Sequence, residues 1–198
     1  MTEYNPRSAR RHILTIINDL FEHAVSDKQV RESLREFSLD LSTTDIRREF
    51  AYLAGLGAVT VDKNEGHDME TCRITPHGVD ILTGAVEVDG VRTGDPLAEN
   101  LYHKKDLRRG VLAHLAEKPA IYVEDVDLAE RFAEDGFGAV ELADVQYHLW
   151  YLAGKTLVTL REIRVGKANN YTAKITPAGV DVYQGLKADV GITADASR

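Results

Sequence analysis

The sequence contains one cysteine, Cys72, and five prolines among its 198 residues. A single thiol excludes an intramolecular disulfide framework and a zinc site built from several cysteines, and it is typical of a reducing compartment. The longest apolar run, residues 50–59, is far shorter than the roughly 20 residues that span a bilayer. The first residues also lack the hydrophobic core of a signal peptide. We therefore expect a soluble, cytoplasmic chain with no membrane partner.

Positive charge is scarce. Lys and Arg number 24 against 32 Asp and Glu, which leaves a formal net charge of −8. Residues 1–100 hold 11 cations against 18 acids, a net of −7, whereas residues 101–198 hold 13 against 14, a net of −1. This acidity argues against a protein that coats nucleic acid without specificity, because such proteins present a broad basic face. A small basic patch on an acidic body remains compatible with it.

Catalytic and metal-binding patterns are also missing. The seven histidines are scattered, without a His-x-x-x-His pair, and no Gly-rich phosphate loop or nucleophile–base pair stands out. His67 and Asp68 with Cys72 would make a metal sensor, but this set lacks a closing ligand. Cys72 is predicted to be a small core residue in a strand. The sequence predicts a protein that is not an enzyme and that needs no cofactor and no metal.

An internal repeat is the clearest positive feature of the sequence. Three blocks recur in the same order at offsets of 98, 99 and 101 residues. They are Arg-Arg-x-(Ile/Val)-Leu from Arg10 and Arg108, Tyr-Leu-Ala-Gly from Tyr52 and Tyr151, and Ile-Thr-Pro-x-Gly-Val-Asp from Ile74 and Ile175. Repeats of this kind indicate two copies of one domain. The predicted boundaries are 1–88 for the first domain, 89–103 for a linker, 104–188 for the second domain and 189–198 for a flexible tail.

Each copy is predicted to form three helices, a strand, a loop, a second strand and a closing helix. In the first copy, apolar spacing predicts helices over 8–24 and 27–38, and a third that is capped by Ser42 or Thr43 and ends at Gly55 or Gly57. Residues 58–61 and 71–75 are predicted strands around an acidic loop, and Pro76 opens the closing helix. In the second copy, residues 121–123 are predicted to add a short strand, and residues 156–161 and 171–176 form the hairpin. The fold class is α+β, mainly α with small β-hairpins.

Three helices followed by a two-stranded wing resemble the winged helix-turn-helix family, over about residues 8–84 and 105–185. The first copy also resembles the small winged-helix proteins of Mu-like prophages. The shared residues are Arg10-Arg11-His12-Ile13-Leu14, the Tyr52-Leu53-Ala54-Gly55-Leu56-Gly57 helix end, Thr75-Pro76-His77-Gly78-Val79-Asp80 and the Gly90-Val91 tail. Those proteins carry a single copy, so this tandem chain departs from their pattern. The resemblance implies two tandem winged-helix domains and a phage context.

In a helix-turn-helix protein, the third helix enters the major groove of DNA. Its outward residues in the first copy are Thr43, Thr44, Arg47 and Arg48, which are side chains that bind bases or phosphates. An ordinary solvated helix face is the alternative. In the second copy, Gln146 is the candidate for a DNA contact, whereas the aromatic residues Tyr147, Trp150 and Tyr151 favour packing. The repeated pairs that begin at Arg10 and Arg108 are read either as phosphate contacts or as structural salt bridges to the wing or the second helix.

The second wing carries the clearest electrostatic signal. Lys155, Arg161, Arg164, Lys167 and Lys174 stand against Glu162 alone, and Asn169 and Asn170 lie near the tip. A basic, amide-tipped hairpin is suited to phosphate or minor-groove contact. The alternative is a hairpin whose charges merely prevent edge-to-edge aggregation. The predicted DNA-binding residues in both copies are Thr43, Thr44, Arg47, Arg48, Gln146, Arg161, Arg164, Lys167, Asn169, Asn170 and Lys174.

These patterns predict a tandem winged-helix protein that binds double-stranded DNA, as a transcriptional regulator or a phage-related DNA-handling accessory. Two linked copies can read adjacent half-sites, and the link raises the local concentration of the second domain. The alternative is an acidic module for protein–protein interaction or self-association in a chromosome- or phage-associated complex. The net charge favours this alternative, whereas the basic second wing favours DNA.

Overall fold

The computed structural model describes residues 5–64, 68–95, 100–137, 140–165 and 168–193. The chain divides into two compact units, unit 1 from Met1 to Glu99 and unit 2 from Asn100 to Arg198. Within the described residues there are eight helices and six strands, in two antiparallel sheets of three strands each. The predicted α+β class is confirmed at this level.

Unit 1 contains four helices and one sheet. The sheet has the strand order β1-β3-β2, and β2 and β3 form a hairpin with Val61 opposite Cys72. In chain order the elements are α1 (Pro6–Asp19), β1 (Val25–Ser26), α2 (Asp27–Glu36), α3 (Thr43–Gly55), β2 (Val59–Asn64), β3 (Met69–Ile74) and α4 (Pro76–Leu82).

Unit 2 repeats this order element by element. Its sheet has the order β4-β6-β5, and its hairpin pairs Leu160 with Ala173. The elements are α5 (Leu101–Glu117), β4 (Val123–Glu124), α6 (Asp125–Glu134), α7 (Leu142–Gly154), β5 (Val158–Val165), β6 (Ala168–Ile175) and α8 (Pro177–Tyr183). The repeat read from the sequence is therefore matched by two units of the same element order and sheet order.

The boundaries differ from the prediction in a few places. Helix α1 ends at Asp19 rather than near residue 24, and the chain then turns into β1, which the sequence did not predict. Strand β1 is only two residues long, so it has no alternation that a pattern could reveal. In unit 2 the corresponding β4 is Val123–Glu124 rather than residues 121–123. Ser42 does cap α3, because its side chain accepts a hydrogen bond from the Asp45 N–H.

The Thr-Pro-x-Gly motif joins each hairpin to its closing helix. Thr75 caps α4 by accepting from the Gly78 N–H, and its hydroxyl donates to the Gly57 carbonyl at 2.7 Å. Thr176 does the same for α8. A Cβ at Gly78 would stand 2.1 Å from the carbonyl oxygen of Ala58, and one at Gly179 would stand 2.1 Å from that of Leu157. Only glycine allows this close packing of the closing helix against the start of the hairpin.

The core of each unit lies between its helices and one face of its sheet. Cys72 belongs to this core, as predicted, and burial raises the pKa of its thiol to about 12, so the thiolate is suppressed. The largest fully buried side chains are Ile13, Leu14, Ile17, Leu34, Ile46, Phe50, Leu53 and Ile81 in unit 1 and Arg108, Leu112, Phe132 and Tyr151 in unit 2.

The structure corrects the predicted linker and tail. Residues 89–95 pack on unit 1: Val91 is buried, and the Arg92 N–H donates to the Arg7 carbonyl at 3.0 Å. Residues 101–103, placed in the linker, belong to α5. In unit 2, Ile192 is buried, so the tail assigned to residues 189–198 is packed up to residue 193. In each segment one apolar residue, Val91 or Ile192, packs back against the helices. A single apolar residue forms no pattern, so the sequence does not reveal this packing.

Candidate functional site

The side chain of Arg47, on the face of α3 that was expected to point outward, is bonded to two acidic residues. The Nε of Arg47 donates to Oδ2 of Asp27 at 2.6 Å, and its terminal nitrogens reach the carboxylate and the backbone carbonyl of Asp68. These hydrogen bonds, first to Asp68 and then to Asp27, raise the pKa of Arg47 above its ordinary value. Asp27 is fully buried at the start of α2 and also accepts from the Glu70 N–H. Arg47 therefore ties α3 to α2 and to the β2–β3 hairpin.

Gln146 occupies the same place in unit 2. Its Nε2 donates to Oδ2 of the buried Asp125 at 2.6 Å and to the Asn169 carbonyl at 3.2 Å. Asp125 also accepts from the Tyr171 N–H at 3.0 Å. In this structure the side chains of Arg47 and Gln146 are partly exposed but are bonded within their own unit, so they do not project freely outward as expected. A helical wheel places both residues outward, but a buried acid at the start of the neighbouring helix draws each of them in.

The rest of the α3 face is exposed. Thr44 is exposed and Thr43 is partly exposed in the first turn of α3. The Arg48 side chain is 64% exposed and lies 3.1 Å from the carboxylate of Asp45, one turn earlier on the same helix. An exposed pair of this kind contributes little to stability and leaves Arg48 able to reorient. Of the four residues predicted on this face, Thr43, Thr44 and Arg48 are accessible.

Two predicted cations converge on the outer face of the second sheet. Arg161 lies opposite Thr172, so Arg161, Thr172 and Lys174 share a face, which is opposite to the face that carries the buried Ala173. The guanidinium of Arg161 lies 3.9 Å from the ring centroid of Tyr122, and Nζ of Lys174 lies 5.2 Å from it. Tyr122 immediately precedes β4, and its ring is in contact with both cations. This arrangement is called the Tyr122 cluster below.

The tip of this hairpin is described only in part. Asn169 is exposed and Asn170 is partly exposed, opposite Ile163 on β5. Arg164 is paired with Asn169 in the strand register, but its side chain lies outside the described residues, as does all of Lys167. Lys155 does not contribute to a basic surface, because its Nζ forms an ion pair with Asp189 at 2.7 Å. The described basic surface of the hairpin is the Tyr122 cluster.

The repeated arginines at the first helix are structural. Arg10 stacks on Tyr52 at 3.6 Å, its Nε donates to Glu49 at 2.6 Å, and Nη1 donates to the Gly90 carbonyl. Arg108 stacks on Tyr151 at 3.5 Å and donates to the Gly191 carbonyl at 2.9 Å. Both side chains are engaged within their own unit. Each one joins the first helix to the third helix and the returning tail, rather than to the wing or the second helix as predicted.

The two copies differ at the position beside this arginine. Glu49 of unit 1 is replaced by His148 in unit 2, and His148 is buried. Burial, and then the nearby charges of Arg108, Lys104 and His103, lower the pKa of His148 well below its ordinary value. His148 is therefore neutral at pH 7. The Nε and one terminal nitrogen of the fully buried Arg108 have no hydrogen-bond partner within the described residues.

No cluster of three or more potential metal ligands occurs within the parts of the chain that the structure describes. The sensor considered from the sequence includes His67, which lies outside them, while Asp68 is bonded to Arg47 and Cys72 is buried. Among the described helices, none is both long enough and apolar enough to cross a membrane.

Comparison with protein-family models, with curated proteins and with solved structures gave no match for this chain. Sequence reasoning missed Tyr122 as the centre of the basic surface, and Asp27 and Asp125 as the anchors of the third helices. The repeat alignment contains a signal for the two acids, because Asp27 and Asp125 are 98 residues apart, within the range of offsets of the shared blocks.

Proposed function

We propose that the two units are tandem winged helices and that unit 2 binds double-stranded DNA through its β5–β6 hairpin. The repeated order of three helices, a hairpin and a closing helix supports the first part. The Tyr122 cluster is the main observation that supports DNA binding by the β5–β6 hairpin of unit 2. Arg161 is exposed and Lys174 is partly exposed on the sheet face opposite the buried Ala173, so phosphates can approach them.

The cluster has features that favour phosphate contact. Stacking on Tyr122 holds the Arg161 side chain in one orientation and so lowers the entropy that it loses on binding. The aromatic ring leaves the guanidinium charged and its hydrogen-bond donors available, which a carboxylate partner would not. In unit 1, the described part of the corresponding hairpin carries the acids Asp62, Asp68 and Glu70 beside the cations Lys63 and Arg73, and Asp68 is bound to Arg47. DNA contact is therefore assigned mainly to unit 2, with Thr43, Thr44 and Arg48 of α3 as secondary contacts.

We propose a regulatory or phage-related DNA-handling role on this basis. The resemblance of the first copy to winged-helix proteins of Mu-like prophages supports a phage context. Covalent linkage of two unequal units suits recognition of an asymmetric site, since the two units do not carry the same side chains at the hairpin or at the third helix.

Fluorescence anisotropy with a labelled 20-base-pair duplex tests the proposal on the full chain. About four phosphate contacts predict roughly a hundredfold loss of affinity between 50 and 200 mM salt. Replacing Arg161 and Lys174 together by Gln is expected to weaken binding at 50 mM salt, while replacing the exposed Arg131 and Lys187 is not. Absence of binding at 50 mM salt contradicts the proposal.

A protein-binding module is the second candidate, and one observation favours it. The exposed residues at the start of α7 are Glu141, Leu142, Ala143 and Asp144, and they include no cation. A helix that reads DNA normally carries basic or amide side chains there. A partner helix with a basic face suits this surface. Binding of a partner that is lost in Leu142→Ala, together with no DNA binding, supports this candidate instead.

A further inference from the structure

A cleft of about 550 Å³ lies in unit 1, away from the hairpins. It is formed by the start of α1, the loop that follows α2 and the returning segment near residue 92. Its volume is in the range of small-molecule sites. The lining residues are Asn5, Arg7, Ser8, His12, Phe37, Leu39 and Arg92.

The charge of this cleft is opposite to that of the unit around it. Arg7 and Arg92 both line the cleft, and the backbone hydrogen bond from the Arg92 N–H to the Arg7 carbonyl keeps their segments together. Within the described residues, no carboxylate lines the cleft and neither arginine forms an ion pair. Two cations that line one cleft, in a half of the chain with a net charge of −7, attract a small anion.

The other wall of the cleft is aromatic. The rings of His12 and Phe37 are stacked, with centroids 4.6 Å apart and planes 27° from parallel. Phe37 is 45% exposed, so one edge of this stacked pair is open to the cleft. Burial and the charges of Arg11 and Arg92 lower the pKa of His12. Of the two arginines that line the cleft, Arg92 therefore acts on the imidazole.

We propose that this cleft binds a small organic anion that carries a flat ring, with the anionic group at Arg7 and Arg92 and the ring against Phe37. The amide groups at the start of α1 do not supply this site, because Arg7 N–H and Ser8 N–H already donate to the side chain of Asn5. The side chains of the two arginines provide the recognition, and guanidinium groups suit a phosphate or carboxylate.

Unit 2 has a cleft at the corresponding place, and its chemistry is different. It is about 400 Å³ in volume, and Asp106 and Asp135 contribute carboxylates to its lining. Asp106 and Gly110 take the places of Ser8 and His12 at the repeat offset of 98. The second cleft therefore lacks both the stacked imidazole and the excess of cations. The ligand is assigned to the cleft of unit 1 alone. The cleft of unit 2 then serves as a control for ligand binding within the same chain.

The imidazole of His12 provides a direct readout in the full chain. Its NMR signals are to be titrated with adenosine 5′-monophosphate, with inorganic phosphate and with adenosine. The monophosphate is expected to bind most tightly and to raise the pKa of His12, since a bound anion offsets the field of the arginines. Inorganic phosphate is expected to bind more weakly because it lacks the ring. If neither anion shifts His12, or if adenosine binds as tightly as the monophosphate, the proposal is wrong.

Variants separate this site from general charge effects. Changing Arg7 and Arg92 together to Gln leaves their backbone hydrogen bond intact and is expected to weaken monophosphate binding by about tenfold or more. Phe37→Ala is expected to weaken the monophosphate but not inorganic phosphate. Arg35→Gln, which removes one charge from α2 outside the cleft, serves as the control. Unchanged affinity in the double variant, with circular dichroism showing a folded chain, overturns the proposal.

Discussion

Arg47 donates a 2.6 Å hydrogen bond to Asp27, and the acid is fully buried at the first position of α2. The arginine of an apparent DNA-reading face is thus a structural link between two helices and a hairpin. Gln146 and Asp125 repeat the same link in unit 2 with a neutral donor. In each copy, one buried carboxylate therefore bonds the third helix to the start of the second.

Arg47→Ala is expected to destabilise unit 1, because the change leaves the buried carboxylate of Asp27 without its charged partner. The melting temperature should fall by about 10 °C, whereas Arg48→Ala, one residue along, should change it by only a degree or two. Arg47→Gln should restore much of the loss, since Gln146 makes the equivalent bond. Calorimetry of the three variants tests this, and equal melting temperatures for Arg47→Ala and Arg48→Ala contradict it.

Unit 2 is expected to lose stability in mild acid through His148. The pKa of His148 is lowered in the folded chain, so below a pH of about 6.5 the unfolded chain binds more protons than the folded chain. The stability of unit 2 therefore decreases as the pH is lowered below this value. Lowering the pH from 7 to 5.5 is expected to reduce the free energy of unfolding of unit 2 by about 1 kcal/mol. Trp150, the single tryptophan, lies on α7 and reports unfolding of unit 2 in urea. His148→Gln should reduce the pH dependence by that amount, and an unchanged pH dependence contradicts the assignment.

A counterion for Arg108 is expected to stabilise unit 2. Glu49 bonds Arg10 in unit 1, whereas the corresponding position in unit 2 holds neutral His148. His148→Glu places a carboxylate beside the unpaired nitrogens of Arg108, and we expect a gain of about 1 kcal/mol at pH 7. Urea unfolding followed at Trp150 measures it. A lower urea midpoint for His148→Glu than for His148→Gln contradicts this prediction. It would show that burying the carboxylate costs more free energy than its pairing with Arg108 provides.

The closing helices are expected to reject any side chain at their shared glycine. Gly78→Ala places a Cβ 2.1 Å from the Ala58 carbonyl oxygen, so α4 must shift, at a cost of about 1–3 kcal/mol. Gly55→Ala is the control, because a Cβ at the end of α3 meets nothing within 4 Å and is expected to be neutral or stabilising. The calorimetric melting temperature should therefore fall in Gly78→Ala and stay unchanged or rise in Gly55→Ala, and a tolerated Gly78→Ala refutes this packing.

Much of the fold was predictable because its signals are local. The repeated Thr-Pro-x-Gly block, Ser42 as a helix cap and the periodic apolar residues such as Ile13 and Leu53 each act over a few residues. Strand β1 has no such signal, since its two residues take their place only by pairing with β3.

The candidate site was less predictable because it depends on distant pairs. Periodicity gives the side of the helix on which Arg47 lies, but not that a buried acid 20 residues earlier meets it. Tyr122 and Arg161 are separated by 39 residues, and only the register of β4, β5 and β6 brings them together.

The salt dependence of DNA binding by the full chain tests the central claim most directly. Changing Arg161 and Lys174, the two cations of the Tyr122 cluster, to Gln should lower the magnitude of the slope of log affinity against log salt by about two, one for each lost phosphate contact. Changing Arg109, Arg131 and Lys187, three exposed cations elsewhere in unit 2, should leave the slope unchanged. An unchanged slope in the first variant, or no binding by the parent chain at 50 mM salt, contradicts DNA contact by this hairpin.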